Sequence, residues 1–140
     1  MNQFYFEDLS LGQCESLTKT ISSEMIEVFA EISGDNNPLH LDDKYAATTR
    51  FKGRIAHGAL SSSFISAVLG TLLPGMGAVY LSQSVRFLAP VRIGDKVRAE
   101  ATVTSLDANK NRIKLVTSCF VENEQVIVGD AEIYVPSRKI

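Results

Sequence analysis

The sequence contains few of the residues that stabilise small secreted domains or bind structural zinc. Its 140 residues include only two cysteines, Cys14 and Cys119, and no tryptophan. The two cysteines are far apart, and neither belongs to a Cys-x-x-Cys pair or a Cys/His cluster. This pattern argues against a disulfide framework and against a structural zinc site. We therefore expect reduced thiols in a cytoplasmic protein.

The chain also lacks a long apolar run and a segment rich in one sign of charge. Its longest nearly apolar stretch, FISAVLGTLLP, ends at Pro74 and is too short to cross a bilayer. The first residues carry Glu7 and Asp8 and no basic residue, which is unlike a signal peptide. The 14 basic and 16 acidic residues are spread along the sequence, so no basic stripe faces a nucleic-acid backbone. We expect no binding to nucleic acid or to a membrane.

The sequence does contain helical spacing in its first half and alternating residues in its second. With 45% hydrophobic and 21% charged residues, residues 1–140 are predicted to form a single domain. Apolar spacing predicts an amphipathic helix over 22–32, and an uncharged segment predicts a buried helix from about His57 to Leu73. Alternation predicts strands in CESLTKTI, AVYLSQSVRF, DKVRAEATVTSL, RIKLVTSCFVEN and QVIVGDAEIYV. The economical packing is an α+β fold whose antiparallel sheet wraps around the long central helix.

The most polar stretch, SGDNNPLHLDD at residues 33–43, separates Asp35 from His40 by a turn that contains Pro38. On composition alone it is also a good loop or the start of a short helical turn. If the turn brings the two side chains together, they can act on one water, because neutral histidine accepts a proton and a carboxylate can return one. Gly58, at the start of the central helix, would let an oxyanion approach free backbone N–H groups. Such a set suits the addition of water to a 2-enoyl thioester.

Three segments carry a family resemblance: SGDNNPLH, the HG pair before the central helix, and LAPVRIGD between strands. Together they resemble the MaoC-like hydratases, also called (R)-specific enoyl-CoA hydratases, over nearly the whole chain. The resemblance implies a hot-dog fold and assigns the catalytic acid to Asp35 and the catalytic histidine to His40. It implies that the backbone N–H of Gly58 holds the thioester oxygen.

The resemblance also implies a reaction and an assembly. The reaction is the reversible hydration of trans-2-enoyl-CoA to (R)-3-hydroxyacyl-CoA in fatty-acid or polyhydroxyalkanoate metabolism. Coenzyme A is then part of the substrate, and no separate cofactor or metal is expected. A homodimer is expected, because pairing two copies covers an exposed sheet edge and the family's sites lie near that interface.

Further site residues follow from their positions. Ser66 lies about two turns after Gly58 on a similar helix face, so we predict that it orients Asp35 by a hydrogen bond. Asn37, Leu69 and Leu73 are predicted to bind substrate, with the two leucines forming the floor of an acyl pocket. On that prediction, Leu69→Ala extends the accepted chain length. His57 is assigned mainly a structural role.

Other functions remain open at this stage. A hot-dog thioesterase has no use for the Asp35 and His40 pair, and the central helix offers no acidic residue to activate water. A 3-hydroxyacyl thioester dehydratase on another carrier, such as acyl carrier protein, would use the same residues. A non-catalytic acyl-CoA-binding protein would keep the pocket and lose the acid or the base. The run RFKGR is either a solvated loop or a site of attraction for coenzyme A phosphates.

Overall fold

The computed structural model describes residues 1–139, which form four α-helices and a five-stranded sheet. The helices are α1 (Ser23–Ser33), α2 (Pro38–Leu41), α3 (Asp43–Ala47) and α4 (Gly58–Thr71). The strands are β1 (Cys14–Thr20), β2 (Val79–Phe87), β3 (Lys96–Asp107), β4 (Arg112–Val121) and β5 (Glu124–Tyr134). Every predicted strand is present, and the predicted α+β class is confirmed.

The strands lie in the order β1-β3-β4-β5-β2, and all neighbours are antiparallel. The β3–β4 and β4–β5 connections are tight turns whose residues Asn111, Glu122 and Asn123 adopt positive φ angles. β2 and β1 are the two edge strands of this sheet. The strand β2 follows α4 in the chain and pairs with the last strand, β5. Its last residue, Phe87, lies beside Gly58, the first residue of α4.

The core lies between α4 and the sheet. The alternating residues Val97, Ala99, Ala101 and Val103 of β3 are buried, as expected for a strand with one face on the core. The helix α4 packs against β3, β1, β4 and β2. Its core face consists of Leu60, Phe64, Ile65, Val68 and Leu69. The opposite face carries small residues, including Ser63 and Ser66, and is exposed.

The two cysteines are free, and they differ in environment. Cys14 is exposed at the start of β1, whereas Cys119 is buried on β4, where its thiol lies 3.8 Å from the carbonyl oxygen of Ser61. Burial raises the pKa of the Cys119 thiol to about 12, because the charged thiolate loses its hydration. Cys119 is therefore an inert core thiol. Within residues 1–139, no helix combines the length and the apolar character that a membrane span needs.

Candidate active site

Asp35 and His40, two of the predicted catalytic residues, lie in the long connection between α1 and α4. Gly34 ends α1 with a left-handed φ of 81°, which reverses the chain after the helix. Asn37 then caps the short helix α2 by accepting a hydrogen bond from the Leu39 N–H, and Pro38 occupies its first turn. This local structure buries His40 and leaves Asp35 exposed at the surface of the loop.

The ring of His40 has a defined orientation and a defined tautomer. Its Nδ1 lies 2.8 Å from the carbonyl oxygen of Ile55. A carbonyl oxygen can only accept a hydrogen bond, so Nδ1 carries the proton and Nε2 is left as an acceptor. The backbone of His40 is also fixed, because Arg54 Nε donates to its carbonyl oxygen at 2.6 Å. Nδ1 of His40 is thus committed to the backbone, and Nε2 is the nitrogen left for other contacts.

Asp35 lies beside this base. A carboxylate oxygen of Asp35, a ring nitrogen of His40 and a ring nitrogen of His57 all lie within 4.8 Å of one another. The Oδ1 atom of Asp35 accepts a hydrogen bond from the Asn37 N–H at 3.2 Å, which makes an Asx turn. A carboxylate oxygen of Asp35 and a ring nitrogen of His40 are therefore close enough to share one water.

His57 contacts both His40 and Asp35. Its ring stacks on that of His40 with centroids 3.9 Å apart and planes inclined by 28°, and Phe29 contacts it at 4.9 Å. Its Nε2 donates to the carbonyl oxygen of Asp35 at 2.9 Å. Its Nδ1 is buried without a partner in the described part of the chain. These contacts fix the backbone of Asp35 and the plane of His40, which agrees with a structural role.

Asp35, His40 and His57 have the composition of a metal site, but their geometry suits a stacked pair better. Each imidazole already uses one nitrogen in a hydrogen bond to a backbone carbonyl. Ligand lone pairs lie in the ring plane, and two stacked planes do not direct them to one tetrahedral ion. This geometry therefore favours hydrogen bonding by these residues over the joint ligation of a metal.

A cavity of about 440 Å³ opens beside His40 and the N-terminus of α4. Gly58 is the first residue of α4, where backbone N–H groups have no partner inside the helix and the helix dipole is positive. A Cβ atom on Gly58 would lie 2.5 Å from a ring carbon of Phe87, so glycine lets this ring pack against the helix start. The cavity is lined by His40, Arg50, Phe51, Ile55, Ala56, Gly58, Ala59, Ser61, Phe87, Leu88, Ala89, Pro90, Val91 and Ile127.

Three predicted residues thus meet at this site, Asn37 contacts it only through its backbone N–H, and the other three lie elsewhere. His40 and Gly58 line the cavity, and Asp35 lies beside His40. Asn37 is exposed, and its side chain caps α2. No hydrogen bond joins Ser66 to Asp35 within residues 1–139. Ser66 is instead exposed on α4, and the Asn37 N–H bonds the carboxylate.

Leu69 and Leu73 belong to the hydrophobic core. They are 2% and 0% exposed, and neither lines the cavity. The apolar wall is formed instead by residues that the sequence did not point to, among them Phe87, Leu88 and Ile127. The signal in the sequence was the pair of large apolar residues Phe87 and Leu88 at the end of a predicted strand. In the structure both side chains remain exposed.

Comparison with known proteins supports the resemblance. Residues 12–125 match the family model described as MaoC like domain. The (R)-specific enoyl-CoA hydratase of Rhodospirillum rubrum is 55% identical over 134 residues, covering 96% of this chain and 93% of that protein. The 3-hydroxybutyryl-CoA dehydratase of Methylorubrum extorquens is 50% identical over 135 residues, covering 96% and 86%. The unliganded R-hydratase PhaJ1 from Pseudomonas aeruginosa superposes with a TM-score of 0.92 at 44% identity, covering 97% and 88%.

Proposed function

The chain belongs to the MaoC-like domain family, and we propose that it catalyses the reversible hydration of trans-2-enoyl-CoA to (R)-3-hydroxyacyl-CoA. It is accordingly a hydro-lyase with the hot-dog fold of these hydratases. The observation that carries the proposal is the imidazole of His40, oriented through Nδ1 by the Ile55 carbonyl, beside the carboxylate of Asp35 and next to a cavity that includes the start of α4.

The geometry supports a one-water mechanism. A water held between Asp35 and Nε2 of His40 loses a proton to His40 while its oxygen forms a bond to C3 of the enoyl thioester. Electron density moves from the double bond to the thioester oxygen, which accepts hydrogen bonds from N–H groups at the start of α4. C2 then takes a proton back from the Asp35 and His40 pair on the same face. Atoms balance, because one water is added and the enzyme regains its starting protonation.

The same residues catalyse the reverse dehydration, as the name of the Methylorubrum relative illustrates. An acyl-CoA-binding protein without catalysis is disfavoured, because both the base and the carboxylate are present and adjacent. We propose that no cofactor is needed beyond the coenzyme A of the substrate, since His40, Asp35 and the helix start together supply base, acid and oxyanion donors. We further propose a cytoplasmic location, which suits the two free thiols.

The function is tested by the loss of enoyl-thioester absorbance when purified protein is mixed with trans-2-enoyl-CoA substrates of graded chain length. We expect kcat/KM to rise with chain length by about fourfold per CH₂, as apolar burial of ~0.8 kcal/mol per CH₂ implies, and to stop rising when the cavity is filled. Chiral analysis of the product should give the (R) isomer. A predominantly (S) product would reject the assignment, and binding without turnover would favour the non-catalytic alternative.

We also propose that the active protein is a homodimer formed through β2. This strand has one unpaired edge in the sheet, and its apolar side chains Val79, Tyr80 and Leu81 are exposed. The exposed residues Phe87 and Leu88 continue this surface to the cavity. An exposed apolar edge strand is normally covered in a native assembly, and a two-fold axis would cover both copies at once.

Sedimentation equilibrium should therefore give twice the mass of the chain. Leu81→Lys places a charge among the exposed apolar residues near the start of this edge and should shift the protein towards monomer with a parallel loss of activity. Lys114→Gln, on β4, is the control and should leave the dimer intact. A fully active monomer would refute the proposed dimer and would leave the proposed reaction unaffected.

A further inference from the structure

A group of basic residues surrounds one side of the cavity. Arg50, Lys52 and Arg54 lie in the connection before α4, and Arg92 of the β2–β3 connection packs against them. Within residues 1–139 the ion pairs are Arg98–Glu100, Arg112–Glu132 and Arg138–Asp8, so none involves this basic group. The carboxylate of Asp95 bonds the backbone N–H of Arg92 and not its guanidinium. The group therefore keeps an uncompensated positive charge.

The members of this group have different tasks. Arg54 is structural, because its Nε and Nη1 bond the His40 carbonyl and the Ser23 hydroxyl. Arg92 donates from Nη2 to the carbonyl oxygen of Phe51 at 2.7 Å and so fixes the connection. Arg50 is exposed and makes no hydrogen bond to the described residues, while Lys52 is also exposed. Arg50 and Lys52 are thus free to bind a ligand, and Arg50 is the one of the two that lines the cavity.

Arg50 is nevertheless held in place at the cavity. Its guanidinium lies 4.8 Å from the centroid of the Phe51 ring, a cation–π contact, and Phe51 is itself fixed through its carbonyl. Arg50 and Phe51 both line the cavity that also contains His40 and Gly58. A planar guanidinium held on an aromatic ring keeps its N–H edge free for a bidentate anion.

We infer that Arg50, assisted by the charges of Lys52 and Arg92, binds the diphosphate of the coenzyme A part of the substrate. This inference rests on the proposed function. The thioester must lie between His40 and the start of α4, and the apolar wall at Leu88, Val91 and Ile127 suits the acyl chain. The coenzyme A part of the bound substrate then extends out of the cavity along Phe51 and Arg50. The uncharged pantetheine arm can pack on the Phe51 ring. The phosphates of coenzyme A, which follow this arm, would then reach the cations that lie beyond Phe51.

The charge of the group favours coenzyme A over acyl carrier protein. Both carriers present a phosphate at the end of a pantetheine arm. Coenzyme A brings a diphosphate and a further phosphate on its ribose, whereas a carrier protein brings one phosphodiester. Several cations without carboxylate partners match the more highly charged anion. The contact is exposed to solvent, so its strength should fall as salt is added.

The experiment compares three thioesters of one acyl chain: crotonyl-CoA, crotonyl-pantetheine, which has no phosphate, and crotonyl-acyl carrier protein. Arg50→Gln should lower kcat/KM for crotonyl-CoA by about tenfold, mainly through KM, as loss of one charge-assisted contact implies. The loss should be several times smaller for crotonyl-pantetheine and for the carrier protein. Arg50→Lys, which keeps the charge without the planar fork, should fall between. Lys110→Gln, in the β3–β4 turn, is the matched control and should behave like the parent protein.

Each outcome has a distinct meaning. Equal losses on crotonyl-CoA and crotonyl-pantetheine would overturn the inference, because Arg50 would then act on the fold or the chemistry. No loss on crotonyl-CoA, or a loss largest on the carrier protein, would overturn it as well. If none of the thioesters is hydrated by the parent protein, the proposed function fails, and calorimetric titration with free coenzyme A decides the inference by itself. Weaker binding to Arg50→Gln than to Lys110→Gln would support it, and equal binding would reject it.

Discussion

Asp35→Asn and His40→Gln are each expected to lower kcat for enoyl-CoA hydration by about 10²–10⁴-fold, the usual contribution of a positioned acid or base. The His40→Gln substitution removes Nε2, the nitrogen that accepts the proton of water. The other ring nitrogen, Nδ1, is committed to the Ile55 carbonyl and cannot replace it. Asp35 loses the charge that holds the same water. The measurement is steady-state turnover of a short enoyl-CoA, together with thermal unfolding to show that each variant is folded.

The double variant distinguishes a shared water from two independent roles. If both side chains act on one water, the double variant should lose little more activity than the worse single variant, because one mechanism is lost only once. Losses that multiply would indicate separate roles. Asp43→Asn, in the first turn of α3, is a matched control from the same loop and should retain parent activity. Near-parent turnover in both single site variants would remove this pair from the mechanism.

The fold was predictable because its patterns are local. Alternating residues such as Val97, Ala99 and Ala101 commit β3 to one buried face, and a strand with this period cannot be mistaken for a helix. The uncharged segment of α4 likewise indicates a helix close to the core. The observed helix, Gly58–Thr71, ends two residues before the predicted Leu73, since the chain must turn ahead of Pro74.

The proximity of Asp35 and His40 was predictable for a different reason. A turn fixed by Asn37 and Pro38 constrains the path between Asp35 and His40 over a few residues, so sequence spacing carries geometric information. The stacking of His57 on His40 was not predictable, because it joins two segments separated by α3 and by the connection that follows it.

The predicted acyl pocket shows where such inference stops. Helical spacing relates Leu69 and Ser66 to Gly58 on one helix, but it does not say which face of that helix meets a cavity. The position of the cavity depends on where β2 ends, and that is set by its pairing with β5 at the far end of the chain. The sheet covers Leu69, whereas Phe87 and Leu88 reach the cavity. Sequence spacing within α4 contains none of this information.

The pairing of β2 with β5 also leads to the prediction with the largest expected effect on stability. Gly129 of β5 lies opposite Val85, and a Cβ atom there would overlap the backbone carbonyl oxygen of Ser84. It would also lie 2.7 Å from the carbonyl carbon of Ser84 and 3.2 Å from Cα of Val85. All these atoms are backbone, so no side-chain rotation relieves the overlap, and β2 has to move away from β5.

Gly129→Ala should therefore lower the free energy of unfolding by about 2–4 kcal/mol, the upper range for a single overpacking substitution. Activity should fall as well, because the displaced strand carries Phe87 at the cavity wall. Gly70→Ala is the matched control: a Cβ atom on this exposed residue of α4 meets nothing within 4 Å. Gly70 lies in the last turn of α4, so alanine should raise the stability by less than the ~0.5–1 kcal/mol of a helix interior. Denaturant unfolding of the two variants measures both effects, and equal stabilities would show that β2 does not approach β5 as closely as the structure places it.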